Sequence, residues 1–229
     1  MTKILFVCHG NICRSPMAEF IFKDMVSRAG CADEFLIDSA AVSAEELGNP
    51  VYPPARRVLN AHGISCEDKA ARRVRPEDGN FDLIIAMDQN NIARLRRFFG
   101  EDCGRKIKNL LDYAGREGEE IADPWYTDDF DAAWNDIYAG CEGLFRALGP
   151  VELDFSHCTQ RSELYEVLRR EMEWDEDWGS NLDALWDVVT GMKHRGEWFR
   201  VTLPEDEALR AYALRICDTL TDAGKKVES

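Results

Sequence analysis

The run Lys3 to Cys8, apolar after its first residue and followed at once by His9, Gly10 and Asn11, constrains the fold more than any other stretch of the chain. Six residues without polar alternation suit a strand buried on both faces. Ser15 to Ala29 then repeats apolar residues at helical spacing, with Met17, Phe20, Ile21, Met25 and Val26 on one side. Strand, tight turn and helix form a unit, and the unit recurs. Phe35 to Ser39 leads across a Pro-rich loop into Ala55 to His62, and Asp82 to Met87 leads into Asn90 to Phe99. Ile107 to Leu111 reads as a fourth strand and Asp131 to Leu148 as a closing helix. Such alternation predicts a four-stranded parallel sheet with helices on both faces and function at the carboxyl ends of the strands.

Gly149-Pro150 reads as a domain boundary, because proline stops a helix and an apolar strand candidate, Val151 to Phe155, follows directly. With 229 residues the chain is comfortable for two domains, 1–149 and 151–229. The second is predicted as a small α/β domain: a helix over Ser162 to Met172, an acidic turn, a helix from Asn181 to about Met192, a strand from Trp198 to Leu203, a helix from Glu205 to Ala223 and a short end, Lys225 to Ser229. Pro204 followed by three acids is a good helix start.

A net charge of −15 argues against a nucleic-acid partner, whose phosphates call for a basic face. Residues 1–150 hold 18 Lys and Arg against 25 Asp and Glu, whereas residues 151–229 hold 10 against 18, so the tail suits a basic partner. No segment reads as a signal peptide or membrane span, and a soluble, cytoplasmic protein without membrane attachment is expected. The eight cysteines show no paired metal-ligand spacing apart from the close pair Cys8 and Cys13. Reduced thiols, no metal and no cofactor are the expectation.

The loop Cys8-His9-Gly10-Asn11-Ile12-Cys13-Arg14-Ser15-Pro16 falls between the first strand and the first helix. A loop entering a helix N-terminus aims several backbone N–H groups at one spot and adds the helix dipole, which makes an anion site. Gly10 allows close approach, Asn11 tolerates a left-handed backbone, and Arg14 offers a planar fork for two phosphate oxygens. A sulfur anion at Cys8, the form that attacks, sits well in the same field. Cys-x5-Arg-Ser thus gathers a nucleophile, a cradle and a counter-charge; alternatively Cys8 is a buried strand-end cysteine.

From Val7 to Pro16 the chain resembles the low-molecular-weight protein-tyrosine phosphatase family, whose signature is close to Val-Cys-x-Gly-Asn-Ile-Cys-Arg-Ser-Pro. The resemblance implies hydrolysis of phosphotyrosine proteins through a phosphocysteine intermediate, with Cys8 as nucleophile and Arg14 as phosphate clamp. His9, Gly10, Asn11, Ile12, Cys13 and Ser15 would surround the phosphoryl group. The family also has an Asp-Pro pair followed by aromatics, matched by Asp123-Pro124-Trp125-Tyr126. Asp123 is then the general acid, needed because a phenolate leaves more easily when protonated, and Trp125 and Tyr126 border the substrate; without the loop, Asp123 would read as a turn residue. Ser15 would donate to the thiolate, and Asn11, Ser39 and His62 match residues that brace the loop, although a histidine at a helix end is also a common cap. Cys13 matches a cysteine that can form a reversible disulfide with the nucleophile, or it is simply a small apolar residue that fits. Relatives acting on phosphoarginine carry threonine where Ile12 stands, which favours tyrosine, with phosphoarginine the alternative. Cys66 and Cys103 lack the spacing that thioredoxin-linked arsenate reductases require. Ser39-Ala40-Ala41-Val42 departs from the usual Ser-Ala-Gly-Thr, and the loop from Ser43 to Tyr52 lacks the customary aromatic near its start.

In the tail, Asn181-Leu182-Asp183-Ala184-Leu185-Trp186-Asp187 followed by Thr190-Gly191 resembles the central helix of barstar, an intracellular ribonuclease inhibitor. The resemblance implies that Asp183, Trp186 and Asp187 meet a basic protein such as a ribonuclease; in the other reading Trp186 packs inward beneath a solvated acidic face. Asp177 and Met192 depart from the barstar pattern. Two rival expectations follow: an inhibitor or scaffold whose phosphatase domain is vestigial, or a tail that covers the mouth of its own phosphatase domain.

Overall fold

The computed structural model describes residues 1–100, 103–174, 178–191 and 198–229. Its contacts divide the chain into two compact units, Met1–Phe145 and Arg146–Ser229, with the division in the last turns of a helix that runs to Leu148.

In the first unit, β1 (Thr2–Cys8), β2 (Phe35–Ala41), β3 (Leu83–Ala86) and β4 (Ile107–Asn109) form a parallel sheet in the order β2-β1-β3-β4. The apolar run at the amino end occupies the centre of the sheet, and Ile4 to Val7 are completely buried. Helices α1 (Arg14–Arg28), α2 (Pro53–Ala61) and α3 (Gln89–Phe99) follow their strands as expected. Leu5, Val7, Ala40 and Ala86 pack with Ile92 and Leu95 of α3, while Phe6 meets Phe22 of α1 with ring centroids 5.9 Å apart. A one-turn helix, α4 (Pro124–Thr127), precedes α5 (Phe130–Leu148).

The fourth strand is shorter than its apolar run predicts. After Asn109 the chain curls into a short 3-10 helix, Leu110–Ala114, which buries Leu110 and Leu111 completely. That turn lies hard against α5: a Cβ at Gly140 would stand 2.5 Å from Leu110 Cγ, and one at Gly143 would stand 1.9 Å from the Tyr113 carbonyl oxygen. Only glycine allows the helix to settle this close.

The second unit is a three-stranded parallel sheet, β5 (Val151–Asp154), β6 (Trp198–Thr202) and β7 (Lys226–Glu228), with α6 (Arg161–Met172), α7 (Leu182–Gly191) and α8 (Glu207–Asp222). Asp206 caps α8 by accepting the Leu209 N–H at 2.8 Å. The short end expected at the terminus is a strand. Its three residues carry one apolar side chain, too little for a periodic signal, but the register sets Glu152, Arg200 and Glu228 in one row across the sheet, with Arg200 2.9 Å from Glu152 and 3.3 Å from Glu228. Part of the expected acidic turn, including Asp177, and the expected helix end at Met192 lie outside the described residues.

Candidate active site

β1 ends at Cys8 and α1 begins at Arg14, so the loop between them sits at the carboxyl edge of the sheet. It turns at Asn11, which holds a left-handed backbone at φ +59°. The turn lets the Asn11 N–H donate to Cys8 Sγ at 3.3 Å while Ser15 Oγ donates to the same sulfur at 3.0 Å. Two donors thus converge on the buried sulfur and fix its position at the mouth of the loop.

The Asn11 side chain fixes that turn. Its amide nitrogen donates to Ser15 Oγ at 3.0 Å and to Ser39 Oγ at 2.7 Å, and its carbonyl oxygen accepts the Arg72 N–H at 3.1 Å. Ser39 Oγ donates to Glu19 at 2.5 Å, and the buried Glu19 carboxylate is neutralised by Lys69 at 2.6 Å and Lys23 at 2.5 Å. The Asn11 and Ser15 side chains are thus buried within this network.

His62 requires correction. It ends α2 as a cap residue, is exposed, and stacks face to face on Trp134 with centroids 3.8 Å apart. No hydrogen bond among the described residues joins it to the loop. The brace is supplied instead by Arg72 and Lys69, which carry no motif of their own in the sequence.

Arg14 is 3% exposed at its side chain, and three acceptors hold it: Asp88 at 2.7 Å, the Ile121 carbonyl at 3.0 Å and Asp123 at 2.5 Å. Burial pulls the Arg14 pKa down, but Cys8, Asp123 and Asp88 outweigh it and raise it above the ordinary value. Asp88 was not singled out by sequence. It is the N-cap of α3, accepting the Asn91 N–H at 2.7 Å, and that capping role is the only local signal it carries. Asp123 likewise caps α4, accepting the Trp125 N–H at 3.2 Å through one oxygen while the other meets Arg14. Turn residue and site residue are here the same aspartate.

Cys8, Ile12, Cys13 and Arg14 line a cleft of about 250 Å³, joined by His9 and Gly10, by Glu45 and Glu46 from the loop after β2, and by Asp123, Trp125 and Tyr126. Trp125 and Tyr126 are 52% and 83% exposed, which leaves their rings available to a flat substrate group. Tyr52, at the far end of the loop that lacks an early aromatic, packs on Trp125 with centroids 5.0 Å apart. His9 and Glu45 meet at 2.8 Å across the rim. Cys13 is buried, and burial, then the charges of Cys8 and Asp123, push its thiol pKa well up. Among the described residues no group of three His, Cys, Asp or Glu side chains is placed to hold a metal ion.

In the second unit, α7 turns Leu185 and Val189 inward and leaves Asp183, Trp186 and Asp187 exposed. Trp186 is 41% exposed, so it does not pack inward beneath the acidic face.

Residues 149–229 match the family model described as barstar, the barnase inhibitor. Residues 3–152 match the model for low molecular weight phosphotyrosine protein phosphatase. A Bacillus subtilis protein named a low molecular weight protein-tyrosine-phosphatase is 41% identical over 150 residues, covering 65% of this chain and 96% of that protein. Its crystal structure superposes with a TM-score of 0.61, covering 63% of this chain and 92% of that one. The structure of a drosophila arginine phosphatase, 33% identical, superposes with a TM-score of 0.58 and covers 63% and 96% of the two chains. The chain therefore belongs, through its first 150 or so residues, to the low molecular weight phosphotyrosine protein phosphatase family.

Proposed function

We propose that this chain hydrolyses phosphotyrosine in proteins through a phosphocysteine intermediate. The observation that carries the reading is the sharing of one cleft by Cys8 Sγ, the Arg14 side chain and the Asp123 carboxylate. The Cys8 thiolate attacks phosphorus in line as the bond to the phenolic oxygen breaks, and protonated Asp123 gives its proton to that oxygen. Loop amides and Arg14 hold the three remaining phosphoryl oxygens, where charge must be balanced throughout. In the second step the Asp123 carboxylate takes a proton from water as the water attacks phosphorus; the S–P bond breaks, and inorganic phosphate and the thiolate are regenerated. As the dianion enters, Arg14 exchanges an aspartate for phosphate oxygens, which frees Asp123 for the leaving group. A free thiol is obligatory, which fits a reducing compartment such as the cytoplasm.

Substitution of Cys8 by serine in the full chain tests this. Hydrolysis of an aryl phosphate is expected to vanish, and comparable turnover by the variant would end the proposal.

Phosphoarginine is the second substrate reading, suggested by the arginine phosphatase among the structural relatives. Ile12 in the cleft and the aromatic set Tyr52, Trp125 and Tyr126 favour a flat phenyl ester over a flexible guanidine. Kinetics on matched phosphotyrosine and phosphoarginine peptides decide between them. For the second unit, the exposed Asp183, Trp186 and Asp187 support binding of a basic protein, a ribonuclease being the type that barstar's name suggests. Salt-sensitive capture of a basic ribonuclease by the full chain is the expected outcome.

A further inference from the structure

A second groove lies in the first unit, away from the catalytic cleft. Its volume is about 470 Å³, and it is lined by Val42, Arg73, Val74, Arg94, Arg97 and Phe98. Arg94, Arg97 and Phe98 stand one turn apart on α3, so their side chains share a face. Arg73 comes from the segment that joins β2 through a parallel bridge at Ala41. All three arginines are exposed, none forms an ion pair among the described residues, and no acid lines the groove. Three cations gather around one hollow in a chain of net charge −15, with Glu45 near enough to feel the charge of Arg94.

One residue, Arg94, stands between the groove and the surroundings of the active site. Arg94 also lines a hollow of about 430 Å³ shared with His9, Arg14, Asp123 and Tyr126, all of which border the catalytic cleft. The acids of that connecting hollow are engaged: Asp88 and Asp123 with Arg14, and Glu120 with the Gln89 N–H at 3.0 Å. An extended peptide advances about 3.3 Å per residue, so residues flanking a phosphotyrosine are the part of a substrate with the reach to leave the cleft along this hollow.

We infer that Arg73, Arg94 and Arg97 bind the anionic flank of the phosphotyrosine substrate, so that peptides carrying carboxylates a few residues from the phosphotyrosine are preferred. This rests on the phosphatase reading and extends it to the sequence around the phosphate ester. Exposed pairs contribute modestly, about twofold to fivefold each in binding, and the contribution falls with salt.

The test is kcat/KM of the full chain on phosphotyrosine peptides that carry either aspartates or asparagines two to five residues to each side, with para-nitrophenyl phosphate as the flankless reference. The wild type is expected to favour one acidic peptide about tenfold at low salt, with the preference shrinking as ionic strength rises. The R73E/R97E double substitution is expected to abolish or reverse the preference while leaving para-nitrophenyl phosphate turnover unchanged, which also reports that the variant is folded. Equal rates on acidic and neutral peptides, or a preference that survives the charge reversal, overturns the inference. Absence of any turnover of para-nitrophenyl phosphate by the wild type would instead strike the phosphatase reading itself.

Discussion

Arg14 sits 2.7 Å from Asp88, at a nitrogen other than the one that meets Asp123. In the proposed reaction the guanidinium keeps one fixed partner, Asp88, while its other arm exchanges Asp123 for phosphate. Asp88→Asn retains a good helix cap but removes the charge. The expected result is a fall in kcat of about tenfold to hundredfold, the size of one lost charge-assisted hydrogen bond, with inorganic phosphate still competing for the cleft. Unchanged steady-state kinetics would show that Asp88 does not position Arg14.

Asp123→Asn separates acid catalysis from binding. Loss of a general acid costs about 10²–10⁴ in rate where the leaving group needs a proton, so unactivated phenols should suffer most and nitrophenols least. A series of aryl phosphates of graded leaving-group acidity gives the slope, and a uniform loss across the series would remove Asp123 from this role.

The raised pKa of Cys13 predicts selective chemistry. Between pH 6 and 8, about the range in which an ordinary thiol begins to ionise, iodoacetate should label Cys8 and leave Cys13 a thiol. Peptide mapping by mass spectrometry measures this, and equal labelling of both would contradict the structure.

Asp38 links the sheet to the brace behind the loop, at 2.8 Å from Lys69 and 2.7 Å from Arg72. Burial acts to raise its pKa, but Lys69, Arg72 and the Ser39 N–H prevail and lower it. A carboxylate depressed on folding stabilises above its unfolded pKa, and the gain is lost as pH falls through the folded value. Asp38→Asn should therefore destabilise the protein at pH 6–7, by about 1 kcal/mol or less given that the group is one-third exposed, read as a lower thermal midpoint, and the difference should begin to shrink near pH 4 and close as pH falls through the depressed folded value. A difference that does not shrink at all as pH falls from 6 through the acid range would argue against the ion pairs.

Much of this architecture was legible because each signal was local. Lys3 to Cys8 announced a central strand by having no polar face, and the loop from Cys8 to Ser15 carried its chemistry within consecutive residues. What escaped reading depends on partners far apart in the chain. Asp88 and Arg14 are 74 residues apart, and Arg72 reaches Asn11 across 61. Neither connection leaves a trace in spacing. His62 misled because its ring finds Trp134, a stacking partner that only the folded chain supplies. Tyr52 closes a loop and carries no motif, yet its ring supports Trp125.

The seating of α5 on the Leu110–Ala114 turn reaches further than local packing. The chain leaves that turn, passes through Ile121 and Asp123, and enters α5 at Phe130, so the acid-bearing segment runs between two elements that are locked together at this seam. A methyl group added at Gly143 would part the seam without touching any residue of the cleft. Mutations sought for tuning proton delivery at a distance have a natural starting point there.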